Sequence, residues 1–121
     1  MHESIRLIGA RSDIAQLMSD SDLFLFPSVA EGLGMVAVEA QAAGLRVLAS
    51  DAVPRECEVI PGMVVFKPLN AGTAAWGEEV LKLMEFPSPD VAVCNNAVRN
   101  SPFAIENSTA ALLKIYSGLE Q

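Results

Sequence analysis

FPSVAEGLGMVAVEAQAAG, residues 26–44, is the stretch whose reading decides the fold of this chain. It opens at the end of a continuous apolar run, Leu23–Phe26 (LFLF), which Pro27 stops. An apolar run bounded by turn signals is the pattern of a strand buried on both faces of a parallel sheet. A loop containing Gly32-Leu33-Gly34 follows, and a helix is predicted from about Gly34 to Ala43, closed by Gly44 as its C′ residue. That order puts the loop at the carboxyl end of a strand, where open α/β sheets bind ligands. A helix N-terminus reached through glycines presents unpaired N–H groups and a partial positive charge to a phosphate. A Cβ at such a position would hold the phosphate away from the backbone. Many such turns are rich in glycine for geometry alone, so the loop by itself is a weak signal.

Working outward, Ser4–Gly9 (SIRLIG) reads as a short strand and Arg11–Asp20 as an amphipathic helix. Ser12 or Asp13 can cap that helix, and Ile14, Leu17 and Met18 form its apolar stripe. Arg46–Ser50 (RVLAS) and Met63–Lys67 (MVVFK) supply two further strands. Thr73–Phe86 reads as a helix with Trp76, Val80, Leu83 and Met84 on one stripe, ended by Pro87-Ser88-Pro89. Residues 90–100 are predicted helical with a weak pattern. Ile105–Leu119 closes the chain as a helix, with Leu112, Leu113, Tyr116 and Leu119 at helical spacing. Strands alternating with helices predict an α/β fold, a parallel sheet of about four strands flanked by helices.

The 121 residues suit a single domain, 1–121, whose tail, 87–121, is a C-terminal helical segment. Hydrophobic residues make up 51% and charged residues 19%, so the chain is globular rather than disordered. The net charge of −7, without any Lys/Arg cluster, argues against nucleic acid and anionic lipid as partners. No apolar run approaches the roughly 18 residues of a membrane span, and no leader opens the chain. A soluble, cytoplasmic protein without membrane insertion is expected. Cys57 and Cys94 lie far apart without metal-like spacing; the favoured reading is a pair of buried, reduced thiols, with a disulfide as the lesser one. His2 is the sole histidine, so no histidine-based catalysis is expected.

Two carboxylates sharpen the glycine loop. Glu31 stands just before the glycines, and Glu39 lies about a turn and a half into the helix among Ala37, Val38, Ala40 and Ala42. A carboxylate in an apolar setting needs partners, and the two hydroxyls of a vicinal diol can both donate to it. The plainer alternative weighs equally: Glu31 is a helix-start carboxylate favoured by the dipole, and Glu39 simply faces solvent.

Glu31-x7-Glu39, set in FPS…EGLG…VEAQAAG, resembles the donor-site signature of the large retaining GT-B-fold glycosyltransferases of family 4. The surroundings are similar too: a strand ending in Gly9, a helix, SDLFLFPS, the strand RVLAS and the glutamate-containing loop VPRECEV. The likeness covers roughly residues 4–85, and its flavour is that of enzymes of exopolysaccharide or capsule assembly. It implies a partial Rossmann-like sheet, the C-terminal, nucleotide-sugar-binding half of the GT-B fold. It also implies Glu31 as the catalytic residue beside the transferred sugar. The N–H groups of Gly32, Leu33, Gly34 and Met35 would hold the diphosphate, Glu39 the ribose, and Gly9, Ala10 and Arg11 the base. The family retains anomeric configuration without a metal, so no cofactor is expected beyond the nucleotide-sugar substrate. Leu33 stands where the family commonly has an aromatic residue, which bears on the shape of the sugar pocket. Arg46 stands where Pro usually precedes the strand, a loop variation.

Several other features are decoys. Asp20-Ser21-Asp22 spells a metal-binding DxD, but it joins a helix end to a buried strand, so no metal site is expected. Asn107-Ser108-Thr109 has the form of a glycosylation sequon. Arg55 and Lys67 read as solvated charges, and Trp76 as a core or inter-domain contact before a sugar platform.

By the same resemblance, the N-terminal acceptor half and the first two βα units of the donor half, with their basic pair, are missing partners. The isolated chain is therefore expected to be inactive. A non-catalytic remnant or interaction module is the competing class; a sugar-nucleotide epimerase of the same fold lacks its histidine and arginine positions here. Ser4–Gly9 is expected to pair directly with Leu23–Phe26, leaving an exposed sheet edge through which the chain forms homo-oligomers.

Overall fold

The computed structural model describes residues 4–87 and 89–104, with residues 109, 112, 113, 115 and 117 beyond them. Helix α1 spans Ile14–Ser19, strand β1 Phe24–Phe26, helix α2 Met35–Ala42, strand β2 Val47–Ser50 and strand β3 Val64–Lys67. Helices α3, Thr73–Met84, and α4, Val91–Arg99, follow. Short 3-10 turns lie at Arg55–Cys57 and Leu69–Ala71.

The strands form one parallel sheet in the order β1-β2-β3, with Phe24 opposite Val47 and Val47 opposite Val64. This is the α/β architecture expected, a partial Rossmann-like sheet flanked by helices. Strand β2 is central and buried along its whole length. Its Val47 and Ala49 join Val64, Ala37, Val38 and Ala40 of α2 and Met18 of α1 in one core, with Phe24, Phe26 and Phe66 packed against it. Small alanines on the inner face of α2 let the helix approach the sheet closely. Leu25, Leu48 and Val65 are aligned in register on the opposite face.

Helix α4 packs on α2. Its weak sequence pattern is offset by a cap: the Asp90 carboxylate accepts from the Val93 N–H at 3.2 Å. The approach is tight at Gly44, whose φ is 77°. A Cβ there would meet Val91 Cγ2 at 3.0 Å, so the glycine both ends α2 and admits α4.

Three expectations are corrected. Ser4–Gly9 forms no strand: residues 5–9 are irregular and exposed, so among the described residues the sheet has three strands rather than about four. β1 is only three residues long, and the few ladder bonds along its free edge do not offset the ~1–2 kcal/mol per residue needed to order a further strand. For the same reason β1 is not buried on both faces; Leu25 is 51% exposed. Finally, Asp13 is the N-cap residue of α1 but makes no side-chain cap bond, because its carboxylate is taken by Arg11 at 2.6 and 2.7 Å. The predicted helix over Ile105–Leu119 falls mostly outside the described residues, as does His2; residues 109, 112, 113, 115 and 117 are helical. Among the described residues no helix is long and apolar enough to cross a membrane.

Candidate functional site

The loop between β1 and α2 is anchored from the neighbouring strand. Ser50, the last residue of β2, is buried and donates its hydroxyl to the Ser28 carbonyl. The Ser28 hydroxyl in turn lies 2.9 Å from the Ala30 carbonyl and 3.2 Å from the Glu31 carboxylate, with one proton to share between them. Glu31 is exposed at the carboxyl end of the sheet and has an oriented hydroxyl beside it.

Gly34 is the N-cap of α2, buried, with φ 71° and ψ 36°. A Cβ there would meet Val53 Cγ1 at 3.1 Å and Cys57 Cβ at 3.3 Å. The fold itself therefore demands glycine at this position, for conformation and for space. Gly32 is different. Nothing lies within 4 Å of a Cβ built on it, and nothing in the described fold asks for a glycine there.

The Ala37 N–H is the one that bonds back to Gly34 O, at 3.0 Å. The amides of Met35 and Val36 precede it and have no intrahelical carbonyl to reach. Met35, at 40% exposed, and Glu39, also exposed, are four residues apart and share the outer face of α2. The apolar neighbours of Glu39 point inward: Ala37, Val38 and Ala40 are buried and Glu39 is not. Its setting is therefore not apolar, as its sequence neighbours suggested, and burial supplies no argument for a partner.

Gly9, Ala10 and Arg11 lie in the exposed segment ahead of α1. Arg11 forms a two-bond ion pair with Asp13, which lowers the Asp13 pKa and raises that of Arg11. The guanidinium is occupied locally by its own neighbour. Leu33 is 68% exposed at the tip of the glycine loop.

Gln41 was not singled out in the sequence, yet it organises this end of the molecule. It is fully buried; Nε2 donates to Ala37 O at 3.0 Å and Cys57 O at 2.7 Å, and Oε1 accepts from Val59 N at 2.9 Å and Ile60 N at 3.0 Å. This amide clamps the 55–60 segment against α2, and that segment carries the Cys57 that closes around Gly34. The available signal was a lone glutamine on the face shared with Ala37 and Val38.

The remaining marked residues lie elsewhere. Asp20, Ser21 and Asp22 stand at the amino end of β1, away from the glycine loop. There Asp20 accepts from Gln16 at 3.1 Å, and the Ser21 hydroxyl donates to Leu17 O at 2.6 Å. No group of three metal-ligating side chains occurs among the described residues. Arg46 sits over the Phe86 ring at 5.6 Å and donates to Pro87 O at 2.9 Å, fastening the α3–α4 connection. Arg55 stacks over Phe66 at 4.6 Å. Cys57 and Cys94 are buried free thiols, and burial pushes both pKa values up.

Residues 1–85 match the family described as "Glycosyl transferases group 1". The chain is similar to a putative glycosyltransferase EpsF of Bacillus subtilis, 27% identical over 113 residues, which is 93% of this chain and 29% of that protein. It is 32% identical over 110 residues to a D-inositol 3-phosphate glycosyltransferase of Mycobacterium tuberculosis, covering 88% of this chain and 23% of the relative. A shorter match, 40% over 48 residues, covers 40% of this chain and 13% of an N,N'-diacetylbacillosaminyl-diphospho-undecaprenol alpha-1,3-N-acetylgalactosaminyltransferase of Campylobacter jejuni. No solved structure matches significantly. The chain spans less than a third of the length of these relatives. On the match to more than half of its residues, the chain belongs to the glycosyl transferases group 1 family.

Proposed function

We propose that this chain is the donor-binding portion of a retaining glycosyltransferase, taking a nucleotide-diphosphate-sugar and serving transfer to a glycan or lipid-linked acceptor. The observation that carries this reading is Gly32. Neither conformation nor space in the fold asks for glycine there, whereas an incoming diphosphate beside the start of α2 does. The N–H groups of Gly32, Leu33, Gly34 and Met35 bind the diphosphate, assisted by a helix dipole worth about 0.3–1 kcal/mol. Glu39, on the exposed face with Met35, takes the ribose hydroxyls. Glu31, oriented by Ser28, lies against the transferred sugar, where its charge stabilises the oxocarbenium-like transition state as the nucleoside diphosphate leaves. Gly9, Ala10 and Arg11 contact the base, for which Arg11 exchanges Asp13 for the ligand.

The charge of the leaving diphosphate is met without a metal, by amides here and by basic groups outside this chain. Among the relatives, one name specifies a diphospho-undecaprenol acceptor and another an inositol phosphate. Polysaccharide assembly, of the exopolysaccharide or capsule type, is the pathway class proposed, with the reaction on the cytoplasmic side. An acceptor-binding half completes the enzyme.

The test is mutation in an enzyme that contains this chain together with its acceptor half. Glu39→Ala weakens nucleotide binding by about 1–3 kcal/mol, the range for a lost charge-assisted hydrogen bond. Glu31→Ala lowers turnover more than nucleotide affinity. Negligible effects from both changes would leave only a non-catalytic scaffold.

A further inference from the structure

A cavity of about 240 Å3 opens at the carboxyl end of the sheet, lined by Pro27, Leu69, Gly72, Thr73 and Trp76. Its place follows from the chain path. β1 ends at Phe26, so Pro27 is its first loop residue; β3 ends at Lys67, the turn Leu69–Ala71 reverses the chain, and α3 starts at Thr73. Trp76 therefore stands on the first turn of α3, over the end of the sheet that carries Glu31. Its indole N–H donates to Pro68 O at 3.0 Å, which satisfies the one polar atom of the ring and fixes its orientation. The side chain remains half-buried rather than enclosed.

The lining restricts what fits. Pockets for larger ligands run from about 300 to 1,000 Å3; this one has room for a single ring. It contains no charged side chain, which disfavours a phosphate, and it offers one hydroxyl, that of Thr73. A pyranose ring combines an apolar C–H face with a rim of hydroxyls, and a fixed indole beside a proline ring complements that face while Thr73 can meet the rim.

We propose that the Pro27–Trp76 cavity is a subsite for one pyranose ring of the acceptor glycan. This rests on the glycosyltransferase reading and adds to it the class of acceptor recognised. The acceptor is favoured over the donor sugar because none of Glu31–Met35 lines the cavity. Pro27 begins the loop and Glu31 stands farther along it, so a ring at Pro27 and a donor sugar at Glu31 would meet the same loop at two different points.

Trp76 is the chain's single tryptophan, so its indole N–H gives one cross-peak in a nitrogen–proton correlation spectrum. The chain is titrated with methyl α-D-glucopyranoside, methyl α-D-mannopyranoside, methyl β-D-galactopyranoside and N-acetylglucosamine, and with cyclohexanol as an apolar control. The expected result is a saturable shift of that peak with at least one pyranoside, unaffected by UDP or GDP. Thr73→Val weakens the response roughly five-fold, as for one neutral hydrogen bond, with an unchanged unfolding midpoint. The proposal is overturned by the absence of saturation with any pyranoside, by an equal response to cyclohexanol, or by competition from UDP or GDP. Because the titration needs no nucleotide, its failure is separable from failure of the Glu31 and Glu39 assignments.

Discussion

Gln41 Nε2 donates to the Cys57 carbonyl at 2.7 Å, tying the last turn of α2 to the turn whose Cys57 side chain closes around Gly34. The glycine loop is thus supported from behind by a buried amide with four partners. Gln41→Leu keeps the volume but leaves the Val59 and Ile60 N–H groups and the Cys57 carbonyl without their partner. At about 1–3 kcal/mol per unsatisfied group, partly relieved by water at the half-buried amides, the loss is on the order of 3 kcal/mol. Urea unfolding followed by circular dichroism measures it; a change under ~0.5 kcal/mol contradicts the clamp.

Gly34 and Gly32 separate structural from ligand-driven glycine. Gly34→Ala meets a positive φ and a 3.1 Å contact with Val53, so stability falls by about 1–2 kcal/mol or more. Gly32→Ala meets nothing within 4 Å among the described residues, and stability stays within about 0.5 kcal/mol. On the proposed donor-site reading, the same Gly32→Ala change in the assembled enzyme should weaken nucleotide binding, because its methyl group would face the diphosphate. Unchanged affinity would remove the main support for the donor-site assignment.

Most of the α/β frame was legible because its signals are local. LFLF, RVLAS and MVVFK are short apolar runs between turn residues, and they became β1, β2 and β3 with ends shifted by a residue. Ser4–Gly9 carries a similar local signal and failed, because a strand exists only with a ladder partner and three-residue β1 offers too little edge. Glu31 and Glu39 stood out in the sequence by their spacing around the glycines. That Glu39 is exposed was not legible, since periodicity gives spacing around the helix but not which side meets the sheet. Gln41 was hidden because its partners, Cys57, Val59 and Ile60, are 16–19 residues away in sequence.

The two thiols give a pH dependence whose sign is fixed. Burial raises both Cys57 and Cys94 above their ordinary values, with Glu58 adding to the effect at Cys57 and Asp90 at Cys94. The folded state then holds its thiol protons more tightly than the unfolded state. Their contribution to stability is fully present below the unfolded pKa of about 8.5 and is lost as pH rises through the folded values. The unfolding midpoint should fall on going from neutral to alkaline pH, and less so in Cys57→Ala/Cys94→Ala measured against its own neutral value. Thiol reagent should react with the two cysteines rapidly only after denaturant is added.

Self-association should run through β1. Among the described residues the strand pairs on one edge only, with β2, and Leu25, in its middle, is 51% exposed. Beside it lies an open groove of about 480 Å3 between the strand and α3, apolar along Leu23, Leu25, Val80 and Met84 and acidic at the end formed by Asp20, Ser21 and Asp22. An unpaired edge next to a groove with an apolar wall favours pairing with another chain, while those aspartates and the net charge of −7 oppose it at low ionic strength. Salt screens that repulsion, with a Debye length of about 10 Å at 0.1 M. Light scattering on the isolated chain should therefore show association that increases with both protein concentration and salt. Leu25→Lys, which puts a charge at the centre of the edge, should return the chain to monomer at little cost in stability, since the side chain is already half in water. A wild-type chain that stays monomeric at high concentration and high salt rules out this edge as an interface.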